Sequence, residues 1–153
     1  MGDLVETRSQ PRQPYVAVRA TMPMDRIGAA MGPLFGRLFG WLGSHATAPA
    51  GEPWTRYLSV GTEEVELELG APVGREMAGD GDVVAGVLPA MEVATTLHVG
   101  PYDRLPEAYA AVDGWLREQG LQVSGAMWEQ YLDGPDAPPE RTRTRVCFPF
   151  SRE

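Results

Sequence analysis

The segment Trp54-Thr55-Arg56-Tyr57-Leu58 returns later in the chain as Trp128-Glu129-Gln130-Tyr131-Leu132. Each copy follows a helical stretch and a Gly-containing turn, and each precedes a strand of alternating charge. Upstream, Val16-Ala17 matches Val93-Ala94 at nearly the same spacing. A short match alone is weak, but the matched order of elements marks an internal duplication. The expected fold class is therefore α+β. Two strand–helix–strand–strand modules would give one mainly antiparallel curved sheet, with two main helices packed on it and a central groove along the pseudo-axis. With 153 residues the chain suits a single domain over its whole length. Half one is expected at about 4–73, a linker at 74–82 and half two at about 83–150.

Pro and Gly punctuate the rest. A short strand near Leu4 to Arg8 precedes one at Tyr15 to Met22. A helical stretch from Met24 to Ser44 follows, with Asp25 near its start and Ile27, Met31, Leu34, Leu38 and Leu42 on one face. Gly32, Gly36, Gly40 and Gly43 lie opposite and Pro33 sits inside, which reads either as a weak or broken helix or as a smooth surface for close approach. Pro53 to Val60 and Glu64 to Leu69 read as strands, the second with Glu64, Glu66 and Glu68 on an exposed face. The Gly79-Asp80-Gly81-Asp82 run reads as a turn rather than a calcium loop.

In the second half, strands are expected at Val83 to Leu88 and Glu92 to Val99. A helix capped by Asp103, with Pro106 in its first turn and Gly120 at its end, comes next. A strand at Leu121 to Leu132, a Pro-rich turn at Asp133 to Pro139 and a strand at Thr142 to Phe150 close the chain, with Arg141, Arg143 and Arg145 on an exposed face.

The bulk numbers exclude several functions. A net charge of −8 opposes direct nucleic-acid binding and attracts cations. No apolar run reaches the roughly 20 residues of a membrane span, and no signal peptide opens the chain. One cysteine, Cys147, and two distant histidines, His45 and His98, give no metal spacing and no internal disulfide. No phosphate loop, dinucleotide fingerprint or nucleophile elbow occurs. The expectation is a cytoplasmic monomer or homodimer with no cofactor, no metal and no membrane contact.

Strand alternation sets Glu129 and Tyr131 on one face and Trp128 and Gln130 on the other. Thr55 and Tyr57 take the matching face of the first half. Glu129 thus has Thr55 as its counterpart, and the duplication breaks its symmetry at a carboxylate beside a tyrosine pair. Two uses are open to it, apart from that of an exposed Glu on an edge strand. In an aromatic setting an organic cation is a favourable partner, and Tyr or Trp faces add about 0.5–2 kcal/mol each by cation–π attraction. Alternatively it serves as a general acid or base.

Tyr102, in the turn before the second helix, lines the same groove or stabilises the turn. Phe35, Phe39 and Trp41 read as core or as ligand wall. Tyr109 reads as core, His98 as a surface residue and Cys147 as an inert buried thiol. The candidate ligand-binding set is Glu129, Tyr131, Tyr57, Tyr102, Trp128, Trp54, Phe35 and Phe39.

Gly100-Pro101-Tyr102 opening a helix, Ala108-Tyr109 within it and Trp115 near its end resemble the GyrI-like family, also called the AraC/BmrR-type effector-binding domain. So do Trp128-Glu129-x-Tyr131, the Pro-rich turn and the closing Phe148-Pro149-Phe150. The likeness is strongest from Val87 to Phe150 and looser through Pro53 to Tyr57. It implies a duplicated strand–helix–strand–strand fold and a groove that binds drugs and lipophilic cations, with Glu129 as the cation-recognition residue and Tyr131 beside it. It implies a stand-alone member that sequesters, or gives resistance to, an aromatic, cationic small molecule. Two rivals follow from the same resemblance. One is a cofactor-independent hydrolase that adds water to the cyclopropane of genotoxic alkylating natural products, with Glu129 and Tyr131 catalytic. The other is an inhibitor of a protein partner such as DNA gyrase.

Overall fold

Alternation of buried and exposed side chains sets the strands, and three-to-four spacing sets the helices. The computed structural model describes residues 4–134 and 136–152. Its strands are β1 (Val5–Gln10), β2 (Gln13–Pro23), β3 (Trp54–Val60), β4 (Glu64–Pro72), β5 (Val83–Leu88), β6 (Met91–Val99), β7 (Gln122–Val123), β8 (Trp128–Tyr131) and β9 (Arg143–Ser151). Two main helices, α1 (Ile27–Ser44) and α2 (Leu105–Gln119), complete an α+β fold of mainly antiparallel strands. The strand expected at 121–132 is two strands, because the chain leaves the ladder at Ser124-Gly125. The Pro-rich turn at 133–139 is described apart from its position 135.

Helix α1 runs through Pro33 without interruption. It begins after a short 3-10 turn at Met24–Arg26, which holds Asp25. An interior Pro removes one backbone donor and each Gly weakens the helix. Packing offsets this: Leu38, Trp41 and Leu42 are buried against Val16, Val18, Ala71, Val73 and Val83. Fully burying one such aliphatic side chain contributes roughly 1.5–3 kcal/mol. The glycine side of α1 is open surface. No heavy atom outside the helix backbone lies within 4 Å of a Cβ built at Gly28, Gly32, Gly36, Gly40 or Gly43. No other element of the described residues packs closely on this face.

Helix α2 is not capped by Asp103, as its sequence suggested. Asp103 lies inside a 3-10 turn, Tyr102–Arg104, and no side chain caps either element. Pro106 does stand in the first turn, and Gly120 ends the helix in the left-handed conformation (φ 69°).

The strand pairing divides the chain differently from its two sequence halves. One compact unit is Arg12–Pro89 and the other joins the described residues of 4–11 with those of 90–152. In the first unit the strand order is β3-β4-β2-β5, in the second β8-β9-β6-β1, with β7 also on β9. All pairings within each unit are antiparallel. The two orders correspond element for element, since each pairs the strand before its helix with the strand that closes its repeat. The outer strand of each unit comes from beyond the repeat itself. In the second unit α2 covers β6 and β9 through Leu105, Ala108, Val112 and Leu116, packed on Ala94, Val146, Phe148 and Phe150.

Two expectations about strand faces need correction. Glu64 and Glu66 are exposed, but Glu68 is fully buried. Antiparallel register sets Arg19 of β2 on one side of it and Arg56 of β3 on the other. Arg141 lies in a 3-10 turn before β9 rather than in the strand, and Arg145 is partly buried while Arg143 is exposed.

Candidate functional site

Glu129 is the buried carboxylate of β8, only 5% exposed. Two phenols reach it from different elements. Tyr131, two residues on along the same strand, donates to Oε2 at 2.7 Å. Tyr109, from the sheet-facing side of α2, donates to Oε1. One phenol per oxygen fixes the plane of the carboxylate, and a carboxylate has lone pairs to spare for a further partner. The Tyr109 ring is itself steadied by Phe148, with centroids 5.7 Å apart. Tyr102 stands perpendicular to Tyr131, at 6.1 Å and 87°. The three residues form a gradient from Tyr102, 51% exposed, through half-buried Tyr131 to buried Glu129.

The electrostatics agree with this arrangement. The Tyr102 hydroxyl is held above the ordinary phenol range by burial first, then by the negative charges of Glu129 and Asp133. A negative neighbour disfavours the phenolate. The Glu129→Gln variant is therefore expected to lower the Tyr102 pKa, without returning it fully to the ordinary value because burial remains. Ring resonances followed by NMR through the alkaline titration check this. An unchanged Tyr102 midpoint would mean that the charge of Glu129 does not reach it.

In the first unit the matching face of β3 carries Thr55 and Tyr57. Thr55 is fully buried and donates to Met31 Sδ at 3.7 Å. Tyr57 and Phe35 both pack on the cluster of Val65, Leu67 and Leu69. Phe35 also stacks on Phe39, at 5.9 Å and 19°, and Phe39 is 40% exposed. Trp54 and Trp128 lie on the opposite faces of their strands. Trp54 covers Gly70, where a Cβ would sit 2.7 Å from the indole nitrogen, and meets Tyr15 edge-on at 5.4 Å. Trp128 is buried and paired in register with Cys147. Of the candidate set, Glu129, Tyr131 and Tyr102 come together in the second unit, and Tyr57 and Phe35, with Phe39 stacked on Phe35, in the first. The two tryptophans join neither group.

Two residues read as bystanders have more specific places. Tyr109 is on the apolar face of α2 as expected, yet its hydroxyl belongs to Glu129. The signal was present, because a half-buried tyrosine on a stripe of Leu105, Val112 and Leu116 needs a partner for its polar tip. His98 is buried, 5% exposed, and not a surface residue. Period two from Ala94 and Thr96 places it on the buried face. Cys147 is a buried free thiol, as expected, with burial pushing its pKa up to about 11. Among the described residues no group of three or more His, Cys, Asp or Glu side chains could hold a metal ion. None of their helices is long and apolar enough to cross a membrane.

A model of the GyrI-like small molecule binding domain matches residues 5–151. The chain belongs to that family. No curated protein matches its sequence. Among solved structures, the EcmrR C-terminal domain superposes with a TM-score of 0.79 at 21% identity, covering all of both chains. EcmrR in a DNA complex gives a TM-score of 0.86 at 19% identity, with 98% of this chain covered and 58% of that one. This GyrI-like domain thus spans little more than half of that longer protein. SAV2435 bound to tetraphenylphosphonium gives 0.69 at 11% identity, covering 97% and 94% of the two chains. A hydrolase from Listeria innocua gives 0.69 at 17% identity, covering 98% and 93%. At these identities the likeness is one of fold.

Proposed function

We propose that this GyrI-like domain binds aromatic cations, with Glu129 as the anionic anchor and Tyr131 and Tyr102 as aromatic contacts. The carrying observation is the buried carboxylate of Glu129, held by one phenol on each oxygen. Phenols satisfy a carboxylate's hydrogen bonds without neutralising its charge, so an organic cation is the ligand class that gains most from it. The net charge of −8 adds a long-range attraction for cations. A fold relative, SAV2435, is bound to tetraphenylphosphonium, a cation of this class. Sequestration of a toxic aromatic cation is the biological role that suits this chemistry.

Tetraphenylphosphonium, titrated by calorimetry against wild type and Glu129→Gln, tests the reading. The variant is expected to bind about tenfold or more weakly, the equivalent of roughly 1.4 kcal/mol. Equal affinities would remove the charge of Glu129 from the mechanism.

A second reading is favoured by the same geometry, because a carboxylate fixed in plane can also orient a water molecule. One fold relative is described as a hydrolase. Here the site would add water to a strained cyclopropane in an alkylating natural product. Mass spectrometry after incubation separates the two: a product one water heavier than the substrate, above the buffer control, requires catalysis. Recovery of unchanged ligand leaves binding alone.

A further inference from the structure

His98 begins a series of contacts that ends at the carboxylate. It lies on β6 in register with Thr144 of β9. Its Nε2 is 3.0 Å from the carbonyl oxygen of Pro101. A carbonyl only accepts, so Nε2 carries the proton and donates. The same oxygen accepts the Arg104 N–H at 3.1 Å. Between them, Gly100 has φ 141°, a conformation that only glycine adopts freely. Its N–H donates to the carbonyl of Thr142 at 2.9 Å.

These three bonds pin the turn that runs from Gly100 to Arg104. Tyr102 stands in the middle of it. Half of Tyr102 is in solvent, so burial alone does not fix its ring, yet the ring keeps its perpendicular contact with Tyr131. Tyr131 in turn donates to Glu129.

We propose that His98 is a positioning residue of the ligand site, whose hydrogen bond to the Pro101 carbonyl holds Tyr102 in place as an aromatic wall beside Tyr131 and Glu129. The proposal rests on the reading of Glu129 as a cation anchor. His98 touches neither the ligand nor the carboxylate, and its effect passes through Tyr102. Loss of the imidazole frees the turn, and the exposed ring then samples other orientations. A glutamine at this position keeps an N–H at a comparable reach and keeps the latch.

The test uses wild type, His98→Ala, His98→Gln, Tyr102→Ala and the double His98→Ala/Tyr102→Ala variant. Two readouts are taken: tetraphenylphosphonium affinity by calorimetry, and the ring-to-ring NMR contact between Tyr102 and Tyr131 in ligand-free protein. His98→Ala is expected to lose the ring contact and to bind about fivefold more weakly, the scale of one aromatic face on a cation. The double variant is expected to bind no more weakly than Tyr102→Ala alone, since coupled residues are not additive. His98→Gln is expected to restore both readouts. A His98→Ala protein that keeps the ring contact overturns the proposal. So does an affinity loss of the same size with Tyr102 already removed. If wild type does not bind tetraphenylphosphonium, the cation reading fails, and the ring contact in His98→Ala and His98→Gln still decides the latch.

Discussion

Replacing Gly28, Gly32, Gly36 and Gly40 together by alanine is expected to raise the stability of the protein by about 2–4 kcal/mol, from up to about 1 kcal/mol per helical glycine. For a chain of this size that corresponds to a rise in Tm of roughly 5–15 °C. All four positions lie within α1, on its exposed side, with open space where the new methyl groups would go. None of the four has a positive φ. No steric or conformational reason therefore requires glycine there, and the substitution acts by restricting the unfolded chain and favouring the helix. Chemical denaturation and calorimetry of the fourfold variant check this. Unchanged or lower stability would mean that the glycine face makes contacts that the structure does not contain. The natural α1 is held by its packed face and not by its own propensity.

Arg56→Met is expected to destabilise the protein by about 3–5 kcal/mol, because it leaves the fully buried carboxylate of Glu68 without its nearer partner. Arg56 Nε lies 2.8 Å from Glu68 Oε1, an ion pair without the alignment of a hydrogen bond. The Arg56 guanidinium also covers the Tyr15 ring, 5.7 Å from its centroid. Arg19, at 3.3 Å, is half exposed and gives a weaker hold on the carboxylate. The informative comparison is the double variant Arg56→Met/Glu68→Leu. Replacing both charges by apolar groups is expected to cost far less than removing Arg56 alone. Urea unfolding of wild type, the single variant and the double variant reads the difference. A double variant as unstable as Arg56→Met would mean that the lost packing of the arginine, and not the stranded charge, carries the cost.

Glu68 also shows where the sequence stops being legible. Glu64, Glu66 and Glu68 look identical along β4, since alternation places all three on one face. What buries Glu68 comes from other strands: Arg19 from β2 and Arg56 from β3 are brought alongside by register. Local pattern carries no information about such neighbours. By contrast, the element order, the α+β class and the repeat were readable, because periodicity, Pro and Gly act locally. The face shared by Glu129 and Tyr131 followed from alternation alone. The third member of that group, Tyr109, lies twenty positions away in chain order, and its stripe on α2 reads as core with or without Glu129. His98 was obscured by its neighbours: Leu97 and Val99 are exposed, so the strand end looks like surface, while the residue between them faces inward.

The placement of β1 has a consequence for how the chain is made. Val5 pairs with Thr96 and Gln10 with Met91, so β1 waits for a partner that is synthesised only after the whole Arg12–Pro89 unit. The unit from Arg12 to Pro89 is contiguous and has all its own strands once Pro89 has emerged. Folding during synthesis is thus expected to complete that unit first and to leave β1 unpaired until β6 appears. Long-range strand pairing of this kind is slow. The exposed charges of β1, Glu6 and Arg8, are what keep such a waiting edge from pairing with another chain.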